Sequence, residues 1–178
     1  DSSDFGSVGD TIVMVVDSLP VGISIGNASA MPQVWDFTTL GYERLDTLYF
    51  VSPASTQNGS NYPASNLALE TPFINPYYIK SVTNLVLDGI FLKQFNGLPI
   101  DFAMQLEDNL KIMDFPSGYL TATNDTARVD SSFKAPPALA AYVDSLRIKR
   151  TMYVTNNFDA YGLVKTPSGS DSCLRQMR

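Results

Sequence analysis

Apolar and polar residues alternate along much of the chain, and this two-residue period predicts β-strands. The clearest strand is the β-branched run at 11–16, which ends in the turn-like residues 17–20. The same criteria predict further strands at 45–51, 110–115, 119–123 and 160–166. Turn residues separate these runs at intervals of about eight to twelve positions, and this spacing is typical of β-sandwiches.

The segment at 84–104 carries two dipeptides that favour hairpin turns. Asp88-Gly89 and Asn96-Gly97 each suit the pair of positive φ angles in a type I′ turn. They separate three short apolar runs. The segment therefore predicts a three-stranded antiparallel meander.

The third strand of this meander has a regular alternation. Leu98, Ile100, Phe102 and Met104 share one side, which predicts one buried face and one solvent face. Pro99 has no backbone N–H to donate, so we expect the start of this strand at a sheet edge.

A second alternating run lies near the C-terminus. Leu146, Ile148, Met152 and Val154 fall on one face of a strand. Arg150 falls on the same face, and we therefore expect a strand end or a bulge beside it.

Two stretches lack a strand period. Residues 52–76 predict a long surface connection, and the prolines of residues 135–142 favour the start of a short helix. The whole pattern predicts an all-β fold, an antiparallel β-sandwich or jelly roll that forms a single domain over residues 1–178. Because the chain begins at Asp1 without Met, we expect a processed or trimmed chain.

Composition narrows the classes of function. Only 17% of the 178 residues are charged and the net charge is −6, which argues against a nucleic-acid partner. The chain has no histidine, which excludes a Ser-His-Asp triad, a Cys-His dyad and the usual zinc sites. No apolar run is long enough for a transmembrane helix. The sequence indicates no cofactor.

The only cysteine lies in a region rich in turn residues. Cys173 has no base beside it, so we expect a buried small apolar residue rather than a nucleophile. Gly162, in the strand entry at 159–162, predicts a bulge or a close backbone approach. Residues 166–169, Thr-Pro-Ser-Gly, predict a β-turn with proline at its second position.

Acidic side chains are the remaining candidates for chemistry. A hydrolase needs two carboxylates that face each other across a cleft, and the closeness of Asp101 to Glu107 and Asp108 in sequence does not supply this. We therefore predict no catalytic residue and no enzymatic activity. Asp125 and Asp130 are weak candidates for calcium ligands, and the simpler interpretation is that they form Asx turns.

Exposed aromatic rings could form a platform for sugars, because a planar ring stacks on the face of a pyranose. The candidates are Trp35, Tyr62, Tyr77, Tyr78 and Tyr119. Alternation in residues 34–37 favours Trp35 as a core residue. Tyr77 and Tyr78 point to opposite faces of a strand, so at most one of them can serve a platform.

An ordered set of short motifs spans most of the chain. They are Val34-Trp-Asp-Phe-Thr-Thr-Leu40, Asp144-Ser-Leu-Arg-Ile-Lys149, Asp159-Ala-Tyr-Gly-Leu163, Thr166-Pro-Ser-Gly169 and Leu174-Arg175. This set resembles the N-terminal extracellular modules of secreted Bacteroidota proteins that carry a type IX secretion sorting domain. The chain departs from the pattern at Leu163 and at the polar residues 171–173. The resemblance implies a module or fragment of a longer secreted protein, a secreted or outer-surface location and no particular reaction.

The same resemblance implies glycosylation. Such bacteria attach sugars at Asp-Ser or Asp-Thr followed by an aliphatic residue, Met or Thr. Five tripeptides of this kind occur, and their hydroxyl residues are Thr11, Ser18, Thr47, Thr126 and Ser145. The alternative interpretation is that these pairs simply begin strands.

These observations predict a non-catalytic structural or adhesive module of a secreted or cell-surface protein. Its expected partners are other surface or filament subunits, or glycans, which it would contact through loops and sheet edges. A carbohydrate-binding module of a larger secreted protein is the alternative. A hydrolase that uses Asp and Glu is a third hypothesis.

Overall fold

The computed structural model describes residues 1–18, 20–95, 98–137 and 139–178, without the side chains of Phe95, Leu98 and Pro99. Its strands are β1 (Thr11–Val16), β2 (Gln33–Asp36), β3 (Arg44–Val51), β4 (Leu67–Glu70), β5 (Ile74–Lys80), β6 (Asn84–Phe95), β7 (Leu98–Asp114), β8 (Ala122–Lys134), β9 (Ser145–Thr166) and β10 (Gly169–Met177). Short 3-10 helices lie at Ser2–Asp4, Pro53–Ser55 and Gly59–Asn61. Within the described ranges, no helix has the length and hydropathy to cross a membrane.

Six strands form the larger sheet, in the order β1-β3-β4-β5-β6-β7. All neighbouring strands in it are antiparallel. The outer strands of this sheet are β1 and β7. The position of β7 confirms the edge that Pro99 predicted.

The second sheet is organised around β9. Strand β10 pairs with it over Asn157–Thr166, and β8 pairs with it over Ser145–Asn157, both antiparallel. Asn157 has a partner in each of these strands, so β8 and β10 lie on opposite edges of β9. Strand β2 runs parallel to residues 162–165 of β9 and continues the edge that β8 occupies.

The two sheets pack face to face. Leu87, Leu106 and Leu110 of the larger sheet share one core cluster with Ala127 and Val129 of β8. This packing confirms the predicted all-β sandwich. The parallel pairing of β2 with β9 was not evident in the sequence, because it joins residues about 130 positions apart.

Most predicted strands are present, some as parts of longer ones. The strand predicted at 11–16 is β1, and the one at 45–51 corresponds to β3. Residues 110–114 belong to β7, residues 122–123 to β8 and residues 160–166 to β9. In β7, Ile100 and Phe102 are buried and Asp101 is exposed, as the alternation predicted.

The predicted hairpin turn at Asp88-Gly89 is wrong. Strand β6 runs through both residues, and its register to β7 shifts between Leu87 and Gly89, which marks a bulge. A Cβ on Gly89 would overlap the Tyr62 ring and lie 2.7 Å from the carbonyl oxygen of Met104. The glycine is required by this close approach and not by a turn.

The other dipeptide, Asn96-Gly97, lies outside the described residues. The strands on either side of it, β6 and β7, are antiparallel, with Phe95 opposite Leu98. Because Asp88-Gly89 is no turn, residues 84–104 contain parts of two strands and not of three.

Arg150 lies inside β9 and not at an end or a bulge, so that expectation is wrong. The register between β8 and β9 is continuous there, and Arg150 stands opposite Val129. Its side chain is exposed although Ile148 and Met152 on the same face are half-buried. A long arginine chain can reach solvent from an apolar face.

The two aperiodic stretches also differ from expectation. Residues 52–76 contain β4 and the start of β5, and Tyr62, Leu67 and Ala68 within them are fully buried. Strand β4 has four residues, too few to show a period. In residues 135–142 the described part forms hydrogen-bonded turns in place of the predicted helix.

Candidate functional site

Residues from three of the sequence motifs form one hydrogen-bonded cluster around the backbone carbonyl of Ile25. Nε1 of Trp35 and Nη1 of Arg175 both donate to the carbonyl oxygen of Ile25, at 3.0 and 2.9 Å. Arg175 also donates to both carboxylate oxygens of Asp159, at 2.8 and 2.7 Å, and this hydrogen bonding lowers the pKa of Asp159. These hydrogen bonds hold residues 24–32 against the second sheet. Trp35 is 5% exposed, which confirms its prediction as a core residue.

Gly162 permits the contact between β2 and β9. A Cβ there would overlap the carbonyl oxygen of Gln33 and lie 2.6 Å from its backbone nitrogen. The predicted close backbone approach is therefore confirmed. Gln33 in turn donates its side-chain Nε2 to the carbonyl oxygen of Asn27 at 2.6 Å. These motif positions serve to place the backbone of residues 24–36.

A cleft of about 1010 Å³ opens between the sheets. Its apolar walls include Phe5, Val34, Met113, Leu163 and Leu174. Its volume is at the upper end of the range for small-molecule sites. The acidic groups that line it are Asp1 and Asp4, and none of the carboxylates considered from the sequence is among its lining residues.

Cys173 lies on β10 and lines the same cleft. The side chain is half-buried, so the expectation of burial is confirmed in part. Burial raises the pKa of the thiol, and the nearby Asp171 carboxylate acts in the same direction. A raised pKa keeps the sulfur protonated near neutral pH and makes it a poor nucleophile.

The two weak calcium candidates do not meet. Asp125 and Asp130 are five positions apart in β8, so their side chains leave opposite faces of the strand. The Asp125 carboxylate accepts the backbone N–H of Lys111 at 2.5 Å. Asp130 accepts two hydrogen bonds from Arg147, at 2.6 and 2.7 Å, which lower its pKa. In the described part of the chain, no three potential metal-ligating side chains cluster.

The aromatic residues proposed as a sugar platform lie mainly in the interior. Tyr62 and Tyr77 are fully buried and stack on each other with ring centres 4.0 Å apart. Tyr78 is half-buried, and this burial raises its pKa. Tyr119 is also half-buried and its ring lies 5.3 Å from that of Tyr161.

An exposed aromatic ring that sequence reasoning missed lies on the outer face of β9. Tyr153 is 82% exposed and stands opposite Thr126 of β8. It lines a shallow depression of about 430 Å³ together with Asn124 and Asp125. The alternation of residues 146–154 could have indicated it, because it put Tyr153 on the solvent face.

The five candidate glycosylation sites lie at or near the surface. Thr11, Ser18, Thr126 and Ser145 are exposed, and Thr47 is half-buried. Ser18 already bonds through its hydroxyl and its backbone N–H to the Glu43 carboxylate, which lowers the pKa of that acid.

The outer strand β1 presents an unusual surface. Ile12, Val13 and Val15 are 43%, 61% and 47% exposed, and the strand contains no charged residue. On the neighbouring strand β3, Leu45 and Tyr49 are each 50% exposed. Natural edge strands usually carry charges, proline or bulges that prevent pairing with another chain, and β1 has none of these.

The fold and these surfaces define an all-β sandwich with an open cleft between its sheets and an unprotected outer strand. No protein-family model, no curated protein and no solved structure matches the chain.

Proposed function

We propose that this chain is a non-catalytic structural or adhesive module of a secreted or cell-surface protein, and that it associates with neighbouring subunits through β1. The observation that carries the proposal is the exposure of Ile12 on one face, and of Val13 and Val15 on the other, of an outer strand without charge. An outer strand offers unpaired backbone N–H and C=O groups, so a strand from a neighbour can extend the sheet.

The low content of charged residues and the resemblance to secreted Bacteroidota modules support the extracellular location. A surface that is polar mainly through Ser, Thr and Asn is typical of extracellular β-modules. The polar side chains of motif residues such as Trp35, Asp159 and Arg175 bond to backbone or to each other. This use of the motifs is structural and suits a module that works by contact.

Sedimentation velocity over a range of protein concentrations tests association through β1. We expect the native chain to associate as concentration rises and Val13→Lys to remain monomeric, because a buried lysine at the junction costs more than the contact gains. Val82→Lys is the matched control, since Val82 is 82% exposed in the turn between β5 and β6. A native chain that stays monomeric at high concentration would contradict the proposal.

Binding of a glycan is the second candidate function, and Tyr153 favours it. An exposed ring beside Asn124 and Thr126 supplies both a stacking face and hydrogen-bonding groups for a sugar. A glycan array tests this with the native chain, with Tyr153→Ala and with Tyr142→Ala, whose ring is 84% exposed elsewhere. Signals lost only in Tyr153→Ala would support a sugar site, and an array without any signal would reject it.

A further inference from the structure

The second sheet also has an unpaired edge, and it is longer than β1. Strand β10 pairs with β9 only from Asn157 onward, and β8 occupies the opposite edge. On the β10 side, therefore, β9 has no ladder partner over residues 145–156 within the described chain. Among the strand edges without a ladder partner in the described chain, one is therefore this stretch of β9 and another is β1.

The chemistry of the two edges is complementary. Residues 1–43, which include β1, contain six acidic residues and no Lys or Arg. Residues 122–154, which form the β8–β9 hairpin, contain five of the twelve basic residues and three of the eighteen acidic ones. At the free edge, Lys149 and Arg150 are exposed and alternate with half-buried apolar residues such as Ile148.

Pairing of β1 with a second β1 is less favourable. In the antiparallel register that pairs Thr11 of one β1 with Val16 of the other, Asp10 of each copy would lie opposite Asp17 of the other at both ends of the ladder. Like charges directly opposite each other in a sheet are destabilising. Pairing of β1 with the free edge of β9 instead places an apolar strand flanked by acids against an apolar strand that carries cations.

We propose that β1 of one copy pairs with residues 145–156 of β9 in the next copy, so that the module assembles head to tail. This inference rests on the proposed function. It adds that the partner is a second copy of the chain and that the contact runs from β1 of one copy to β9 of the next. Because the two surfaces differ, each added copy leaves one free β1 and one free β9 edge, so growth continues unless the rotation between copies closes a ring. The attraction between the acidic and the basic regions should weaken as ionic strength rises.

Two variants that each block one edge test the direction. Val13→Lys disables β1 and keeps the β9 edge, whereas the double variant Lys149→Glu/Arg150→Glu disables the β9 edge and keeps β1. We expect each variant alone to sediment as a monomer. An equimolar mixture should form heterodimers, because each variant supplies the edge that the other lacks. These heterodimers should not grow further, because both remaining edges are disabled.

The controls exclude damage to the fold and a general effect of charge. Both variants should keep the native circular dichroism spectrum and cooperative melting. Arg128→Glu/Lys134→Glu makes the same change of charge on β8 and should associate as the native chain does.

The outcomes separate this inference from the proposed function. Association of Lys149→Glu/Arg150→Glu alone at the native level would overturn the head-to-tail contact in favour of β1 pairing with β1. A mixture that stays monomeric while the native chain associates would also overturn it, and the proposed function would stand. A monomeric native chain would overturn both.

Discussion

At the scale of single residues, glycines mark places where another part of the chain comes very close. Tyr62 lies over Gly89 on one side, and its ring stacks on that of Tyr77. Both rings are fully buried, and this burial raises the pKa of the Tyr62 hydroxyl. The bulge at Asp88 and Gly89 therefore makes room for an aromatic side chain in the core.

Gly89→Ala should destabilise the protein by roughly 1–3 kcal/mol, because the added methyl group overpacks the contact with Tyr62 and the Met104 carbonyl. Urea denaturation measures the effect. Gly118→Ala is the matched control, since a Cβ at Gly118 has no atom within 4 Å, and it should change the free energy of unfolding by less than about 1 kcal/mol. Equal effects of the two substitutions would contradict the close packing at Gly89.

The ion pair between Asp159 and Arg175 should make stability depend on pH in a defined direction. Hydrogen bonds from Arg175 lower the pKa of Asp159 in the folded state. The contribution of the ion pair to the free energy of unfolding is therefore fully present above the ordinary carboxyl pKa of about 3.9. It is lost as the pH falls through the lower pKa that Asp159 has in the folded state.

Asp159→Asn should consequently lower the melting temperature by several degrees at pH 7. The difference from the native chain should shrink as the pH falls below about 4 and vanish once Asp159 is protonated. Thermal melts between pH 2 and pH 7 measure this, in about half-unit steps, with Asp101→Asn at an exposed position of β7 as control. A difference that is constant across this range would show that the pair does not stabilise the fold electrostatically.

At the scale of elements, residues 24–32 show how a segment without regular structure can be ordered. Its carbonyl groups at Ile25, Asn27 and Ala30 accept hydrogen bonds from side chains of the second sheet. The backbone N–H of Ser29 donates to the carbonyl oxygen of Asp159 at 2.9 Å. Bonds from neighbouring elements therefore add to the short-range bonds that the Ser24 and Ser29 hydroxyls make within the segment.

Trp35→Phe should loosen this segment, because phenylalanine keeps an aromatic ring but cannot donate to the Ile25 carbonyl. Hydrogen exchange measured by mass spectrometry should show faster exchange in residues 24–32 and unchanged exchange in β5 and β6. Tyr142→Phe, at an exposed position, should leave all of these rates as they are. Protection of residues 24–32 equal to that of the native chain would contradict the role of the indole N–H.

The two outer strands of the larger sheet differ in whether side chains of the second sheet bond to their backbone groups. At the β7 edge, Asp125 accepts the backbone N–H of Lys111, and Nε2 of Gln176 donates to the carbonyl oxygen of Ile112 at 3.2 Å. Side chains of the second sheet thus satisfy backbone groups that another strand could otherwise bind. Strand β1 has no such cover within the described chain, and this contrast supports the proposal that β1 is a contact surface.

At the scale of the whole molecule, four of the five Asp-Ser and Asp-Thr sites have an exposed hydroxyl residue, and Thr47 is half-buried. Intact-mass spectrometry of the protein from its native host should show one or more added glycans. Substitution of Thr126 by Ala should remove one glycan, since this hydroxyl is exposed on the outer face of β8. A native mass equal to that of the bare polypeptide would reject glycosylation.

The sandwich could be predicted from the sequence because the two-residue side-chain period of a strand is a local property of the chain. Prediction from the sequence failed where a feature depends on a contact between residues that are far apart in the chain. Nothing near Gly89 indicates the Tyr62 ring, and nothing near Gln33 indicates that its partner is Gly162. The exposure of the apolar residues of β1 could not be predicted either, because a β-branched run has the same sequence pattern in a central strand and in an outer strand.

The pairing of β2 with β9 also sets the order in which the chain can fold. The ladder partner of Gln33 is Gly162, which is synthesised about 130 residues later, and contacts between such distant residues form slowly. Residues 24–36 must therefore stay without their final neighbours until nearly the whole chain has emerged. A nascent chain cut short before β9 would keep β2 exposed and would be a natural target for chaperones or proteases.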